Sequence, residues 1–328
     1  MEGFVEVVAG NLLNPVILAF VLGLGAGLAR AELSIPSALS KAMSIYLMFA
    51  IGLKGGVAVA NSPFSMSLIL ALVAGAILSF LVPLIANAFL QFTTRVDGIN
   101  RAAIAAHYGS ISIVTFVTAT EMLRMSGLPS EGFMVAVAAL METPAIMTGI
   151  WLASRSHSGA GSSSPFSKEL IREVFLNASV VVLVGAFIIG LISTPDAVLK
   201  VQPFFTDIFQ GVLCIFLLDM GLIAAGRLRG VKILSPAVIA FGIYMPVVGA
   251  VLGGAAGWMI GLSAGGAVLL ATLSASASYI AVPAAMRLAI PKANPAISLT
   301  LSLAITFPFN VIFGIPTYLA AMRWLYGV

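Results

Sequence analysis

The sequence predicts an all-α polytopic membrane protein of ten transmembrane helices, arranged as two inverted repeats of five with the fourth and ninth helices discontinuous. Three observations predict it. Hydrophobic residues make up 60% of the chain and charged residues 9%, with a mean hydropathy of +1.12, where a soluble domain keeps about a quarter of its residues charged. Ten apolar stretches approach or exceed the roughly 20 residues that cross a hydrocarbon core. Two of them are interrupted, at matching places in the two halves, by runs of small and hydroxylated residues.

In chain order the first segment falls at 12–30, and Leu33-Ser34-Ile35-Pro36 separates it from the second at 36–53. The third, fourth and fifth follow at 65–91, 98–123 and 131–153. A Ser/Gly-rich linker at 154–170, with Ser156-His157-Ser158-Gly159-Ala160-Gly161 at its heart, is the low-complexity piece of the chain. It divides a first repeat, 1–153, from a second, 171–328. The second repeat holds segments at 172–193, 204–226, 233–259, 264–288 and 294–323, the eighth without a charge and the last two divided by Ile290-Pro291-Lys292-Ala293-Asn294-Pro295. Proline, glycine and charged residues make these stops because they break helices or resist the bilayer core.

With this segmentation Lys54, Arg124, Lys200 and Arg323 fall on one side of the membrane and the remaining twelve of the sixteen Lys and Arg on the other. By the positive-inside rule both termini face away from the cytoplasm of a bacterial inner membrane. The acidic start, Met1-Glu2-Gly3-Phe4-Val5-Glu6, carries no cleavable-signal pattern. The net charge of +4 belongs to basic residues at segment ends facing lipid headgroups, so no nucleic-acid partner is expected. Cys214 is the single cysteine, which excludes a disulfide framework and a cysteine metal site. No phosphate-binding Gly-Lys-Ser/Thr loop, His-Glu-x-x-His or Gly-x-Ser-x-Gly motif is present, so the chain reads as neither an enzyme nor an ATP-driven pump.

Internal similarity supports the repeat. Ile51-Gly52-Leu53 matches Met220-Gly221-Leu222, Glu142-Thr143-Pro144 matches Thr306-Phe307-Pro308, and Met122 with Arg124 roughly matches Met286 with Arg287. With five spans per copy, the second must insert upside down.

The interruptions are Tyr108-Gly109-Ser110-Ile111-Ser112, leading on to Thr115, and Ser274-Ala275-Ser276-Ala277-Ser278-Tyr279. Ser110 and Ala277 lie about 12 residues into their segments, so about 18 Å deep in a core about 30 Å thick. Backbone groups freed there need protein or a polar cavity. Two half-helix N-termini meeting at one point would hold a small anion without a basic side chain. Tyr108, Gly109, Ser110, Ile111, Ser112, Thr115, Ser274, Ser276, Ala277, Ser278 and Tyr279 are therefore the candidate substrate residues. The competing reading is close packing of small residues at ordinary helix crossings.

Glu142 lies halfway along segment five, and its counterpart Thr306 is followed by Asn310. Oxygen ligands of this kind, joined by Thr115 and Asp219, suit sodium, a hard cation. Glu142 also reads as a proton carrier or an interhelical hydrogen-bond partner, and Asp219 as a side chain that snorkels or pairs with a loop base. His107 reads as a proton relay or a satisfied structural histidine. Glu121 and Arg124 read as an i, i+3 pair.

At these residues the chain resembles the SbtA-type sodium-dependent bicarbonate transporters. The likeness rests on Ile51-Gly52-Leu53-Lys54-Gly55-Gly56, Tyr108-Gly109-Ser110-Ile111-Ser112, Met141-Glu142-Thr143-Pro144-Ala145, Asp219-Met220-Gly221, the serines at 274–278 and Arg287-Leu288-Ala289-Ile290-Pro291-Lys292-Ala293-Asn294-Pro295. The resemblance implies a core and a gate domain, sodium symport of bicarbonate, a trimer, and in some members a P-II-like regulator on the cytoplasmic face. It is divergent in two places, with Tyr279 where an acidic residue is usual and Ile113-Val114 before Thr115 where Gly-Ser is usual. A small carboxylate or other organic anion, with or without proton coupling, and a channel or sensor derivative stay open as alternatives.

Overall fold

The structure, a computed structural model, describes residues 13–61, 65–156, 178–229 and 234–328. The predicted linker lies outside the described residues except for its first three positions. The chain is all-helical, and no strand occurs among the described residues.

The helices are α1 Pro15–Leu28, α2 Ser37–Ala60, α3 Met66–Thr93, α4 Gly98–Gly109, α5 Ile113–Met125, α6 Met134–Leu140 and α7 Glu142–Ser156. Beyond the linker come α8 Ala178–Ile192, α9 Pro195–Thr206, α10 Phe209–Leu228, α11 Pro236–Met259, α12 Ala264–Ala275, α13 Ala281–Ala289 and α14 Pro295–Tyr326. Seven described stretches are long and apolar enough to cross a membrane, counting 98–125 and 134–155 as one each. In the places expected for spans one, six and nine the structure has shorter apolar helices. The first and sixth adjoin residues outside the description, and α12 stops at the serine cluster.

Side chains capable of accepting a hydrogen bond start many of these helices. Asn14, Ser65, Asp97, Ser112, Ser235, Ser263 and Asn294 each accept from a first-turn N–H, satisfying donors that a helix leaves free. Four prolines stand at first positions, at 15, 195, 236 and 295, where the missing N–H costs nothing.

Glycine sets the packing of two helix pairs. On α1, a Cβ at Gly23 would meet the Leu218 carbonyl oxygen of α10 at 2.0 Å, and one at Gly221 of α10 would meet that of Phe20 at 2.3 Å. On α2, a Cβ at Gly56 would meet the Phe187 carbonyl oxygen of α8 at 2.0 Å, and one at Gly190 of α8 would meet that of Leu53 at 2.2 Å. Backbones this close exploit small residues in the way membrane helices do. The sequence reading did not anticipate α9, which lies against α2 through Phe205 stacked on Tyr46 and Phe204 edge-on to it.

The longest helix is not uniform. In α14 the backbone widens into π-helix at Leu301–Thr306 and Asn310–Gly314. Pro308 and Pro316 follow four residues after Ala304 and Ile312, whose carbonyls they leave without the usual α-helical donor, and the wider turns take up their rings.

Candidate functional site

The helix ends at Gly109 because Ser110 turns extended, at φ −91° and ψ 157°, and it restarts at Ile113 under a Ser112 cap. The cap bond, from the Thr115 N–H to Ser112 Oγ, measures 3.3 Å, and the Thr115 hydroxyl donates to the same oxygen at 2.9 Å. The Gly109 position requires glycine, since a Cβ there would lie 2.1 Å from the Pro83 ring in α3. In the second half α12 ends at Ala275, Ser276 is extended at φ −83° and ψ 161°, and α13 starts at Ala281. Pro283 falls in the first turn of α13, where its lack of an N–H is harmless.

The two interruptions are bonded to each other. The Ser112 N–H donates to Ser276 Oγ at 2.9 Å, and that hydroxyl donates onward to the Leu273 carbonyl at 2.8 Å. The Ser278 N–H donates to the His107 carbonyl at 2.8 Å, while His107 Nδ1 lies 2.5 Å from the Ser278 carbonyl oxygen. A carbonyl only accepts, so Nδ1 carries the proton. Ser110, Ser112, Ser274, Ser276 and Ser278 are all buried, and Ser110 and Ser274 have hydroxyls with no partner. Ala277 is buried among them and adds no polar group.

A small cavity lies between the first turns of α5 and α13, lined by Ile111, Ser112, Ile113, Glu142, Ser278, Tyr279 and Ile280. It measures about 10 Å³, close to the ~10–15 Å³ that one water needs. The Tyr279 ring closes one side and meets Phe307 edge-on with centroids 5.5 Å apart. Glu142 is 5% exposed and its Oε2 has no partner, a costly arrangement for a carboxyl unless something else uses it.

Thr306 accepts from the Tyr108 hydroxyl and donates to the Gly242 carbonyl at 2.8 Å. That carbonyl lost its helical donor to Pro246 in α11. Asn310 donates to the Ala275 carbonyl, the open end of α12, and accepts from the Tyr318 hydroxyl, both at 2.9 Å. Asp219 accepts from Ser40 in the pairing of α10 with α2. Of the five candidate cation ligands, Glu142 alone lines the cavity; Thr115 stands just behind it on Ser112, while Thr306, Asn310 and Asp219 serve neighbouring backbone or side chains.

The sequence profile of the Na+-dependent bicarbonate transporter superfamily matches residues 15–323, nearly the whole chain. The chain belongs to this superfamily. No curated protein matches it.

For a member of a sodium-dependent bicarbonate transporter superfamily, the cavity has fitting chemistry of both signs. The segments that lead into α5 and α13 line it, at the partially positive ends of two helices, and Glu142 supplies a carboxyl. An anion placed there would be repelled by an ionised Glu142 at this range, so this cavity could hold one only together with a cation or with Glu142 protonated. The sequence reading missed Pro83, Pro246 and Tyr318, which shape the wall behind the serines. Pro83 and Pro246 each stand inside a long helix that precedes an interruption, a signal the sequence offered.

Proposed function

We propose that the chain is a secondary transporter that couples sodium to uptake of a small anion, with bicarbonate as the leading substrate. The proposal includes ten spans in a 5+5 inverted repeat, in which α4 with α5 and α12 with α13 are the two discontinuous spans. The observation that carries it is the mutual bonding of the two interruptions around a cavity holding the Glu142 carboxyl. Superfamily membership supports the substrate and the coupling ion. The matching glycine contacts of α1 with α10 and of α2 with α8 support the repeat, because exchanging the halves turns one pair into the other.

In this reading the half-helix N-termini bind the anion and Ser112, Thr115 and Glu142 face the cation. Admission of bicarbonate requires Tyr279 or Ile280 to move, since the cavity is too small for a four-atom ion. Thr306 and Asn310 hold the carbonyl ends of the site in place. Proton coupling is a second reading, favoured by the unpartnered Glu142 Oε2. Both termini outside, a bacterial inner membrane, a trimer and a P-II-like cytoplasmic partner complete the proposal.

The test is uptake of labelled bicarbonate into proteoliposomes. An inward sodium gradient drives saturable uptake in the parent, Ser112→Ala and Ser276→Ala lower it at least tenfold, and Glu142→Gln removes its dependence on the cation. Sodium also raises the melting temperature of the parent, because an ion that binds only the native state stabilises it. Uptake driven by a proton gradient without sodium selects the second reading. Conductance without coupling rejects both.

A further inference from the structure

A larger cavity, of about 130 Å³, lies beside the first and belongs to no residue assigned above to substrate or cation. His107, Pro283, Met286, Arg287, Ile290 and Ser298 are among its lining. Ser278 links the two: it lines the small cavity, and its backbone is bonded twice to His107, which lines the larger one. The larger space is well above the ~10–15 Å³ of a single water and is enough for a planar ion of four heavy atoms.

Besides Ser298, whose hydroxyl donates to the Pro295 carbonyl, the wall has two polar side chains, and they are of opposite kinds. Arg287 is exposed and brings a permanent positive charge with a planar fork of donors. His107 is 1% exposed, and no carboxylate among the described residues pairs with it. Its proton sits on Nδ1, held by the Ser278 carbonyl, so Nε2 is an acceptor. Nitrate, chloride or formate would satisfy the guanidinium and leave this acceptor facing an anionic oxygen or nothing. A singly charged ion with two charge-sharing oxygens and one O–H satisfies both groups.

We propose that this cavity is a second ligand site, for a small oxyanion that keeps a hydroxyl proton, its charged oxygens on Arg287 and its hydroxyl donating to His107 Nε2. Hydrogencarbonate has this chemistry. The identification of that ion with the transported one rests on the function proposed above. Arg287 lies on the side where twelve of the sixteen basic residues collect, so the site is an antechamber on the cytoplasmic side of the central one.

Equilibrium binding of labelled bicarbonate to the purified full chain in detergent, at constant sodium, tests this. The parent binds two equivalents. Arg287→Gln and His107→Asn each bind one; the asparagine amide takes the place of Nδ1–H on Ser278 and deletes the Nε2 acceptor, so the fold is kept. Excess formate, alike in charge but lacking the hydroxyl, leaves the Arg287-dependent equivalent bound. The proposal is overturned if Arg287→Gln binds as much as the parent, or if formate clears that equivalent. A single equivalent removed by Ser112→Ala and untouched by Arg287→Gln overturns this site and leaves the central one standing. A single equivalent with the opposite dependence upholds this site and rejects the central one. A parent that binds none rejects both.

Discussion

Ser276 carries more of the site than its size suggests, since one hydroxyl joins backbone groups of two separate interruptions. It accepts from the Ser112 N–H, the donor left over as α5 begins, and donates to the Leu273 carbonyl at the end of α12, which the Ser276 backbone N–H also reaches at 3.3 Å. Replacing it with alanine strands the buried Ser112 N–H, at a cost of about 1–3 kcal/mol where no water replaces the partner, while the Leu273 carbonyl keeps the Ser276 backbone N–H as a donor. Ser112→Ala removes a helix cap instead, at about 1 kcal/mol. Ser276→Ala therefore lowers stability more than Ser112→Ala, by about 2 kcal/mol against 1, in reversible unfolding followed by tryptophan fluorescence. Equal losses would mean that water enters and satisfies the Ser112 N–H. This residue was legible beforehand because a serine run deep in an apolar segment has no cheap explanation. What it bonds to was not legible, since its partner lies in the other half of the chain.

At the scale of elements, the proline-induced irregularity of α14 sets where Thr306 and Asn310 point. The π stretches end at Thr306 and begin at Asn310, either side of Pro308. Thr306 reaches the Gly242 carbonyl and Asn310 the Ala275 carbonyl, two acceptors on different helices. Pro308→Ala returns a donor to the Ala304 carbonyl and lets the turn tighten toward α-helix. The two side chains then rotate apart from their acceptors. The expected result is a folded protein, near the parent in melting temperature, with bicarbonate uptake reduced at least tenfold. Unchanged uptake would show that the widened turns are not needed. The sequence displayed the Thr306-Phe307-Pro308 motif and its match to Glu142-Thr143-Pro144, and so located a special element in each half. It also suggested the same role for Thr306 as for Glu142, and here physical context divides them: Glu142 faces a cavity with a free oxygen, whereas Thr306 is consumed by the carbonyl that Pro246 exposes. Hydropathy could not reveal α9 either, because twelve residues interrupted by Asp196, Lys200 and Gln202 are too short and too polar to register as a span.

For the whole molecule, the glycine contacts join α1 to α10 and α2 to α8, while the interruptions are carried by helices packed on α3, α7 and α11. Gly109 against Pro83 of α3, and Gly249 of α11 against the Ser274 carbonyl at 2.0 Å, show how tightly that second group is built. Alternating access needs each group to keep its own packing while the contact between them changes. A methyl placed inside one group should then damage the fold, and a methyl on an open face should not. At Gly221 it would lie 2.3 Å from a backbone oxygen of α1 and at Gly56 2.0 Å from one of α8, but at Gly226 and Gly185 it would meet nothing within 4 Å. Backbone atoms cannot step aside as a flexible side chain does, so Gly221→Ala and Gly56→Ala each separate a helix pair and lower stability by several kcal/mol. Gly226→Ala and Gly185→Ala gain up to about 1 kcal/mol through lost freedom of the unfolded chain. Melting of the four variants in detergent distinguishes these outcomes, and Gly52→Ala, at the position that matches Gly221 and with its methyl 2.5 Å from the Leu183 carbonyl oxygen of α8, should lose about as much as Gly221→Ala if the halves are two copies of one packing unit. A loss at one and not the other would leave the two halves alike in sequence motif but not in structure.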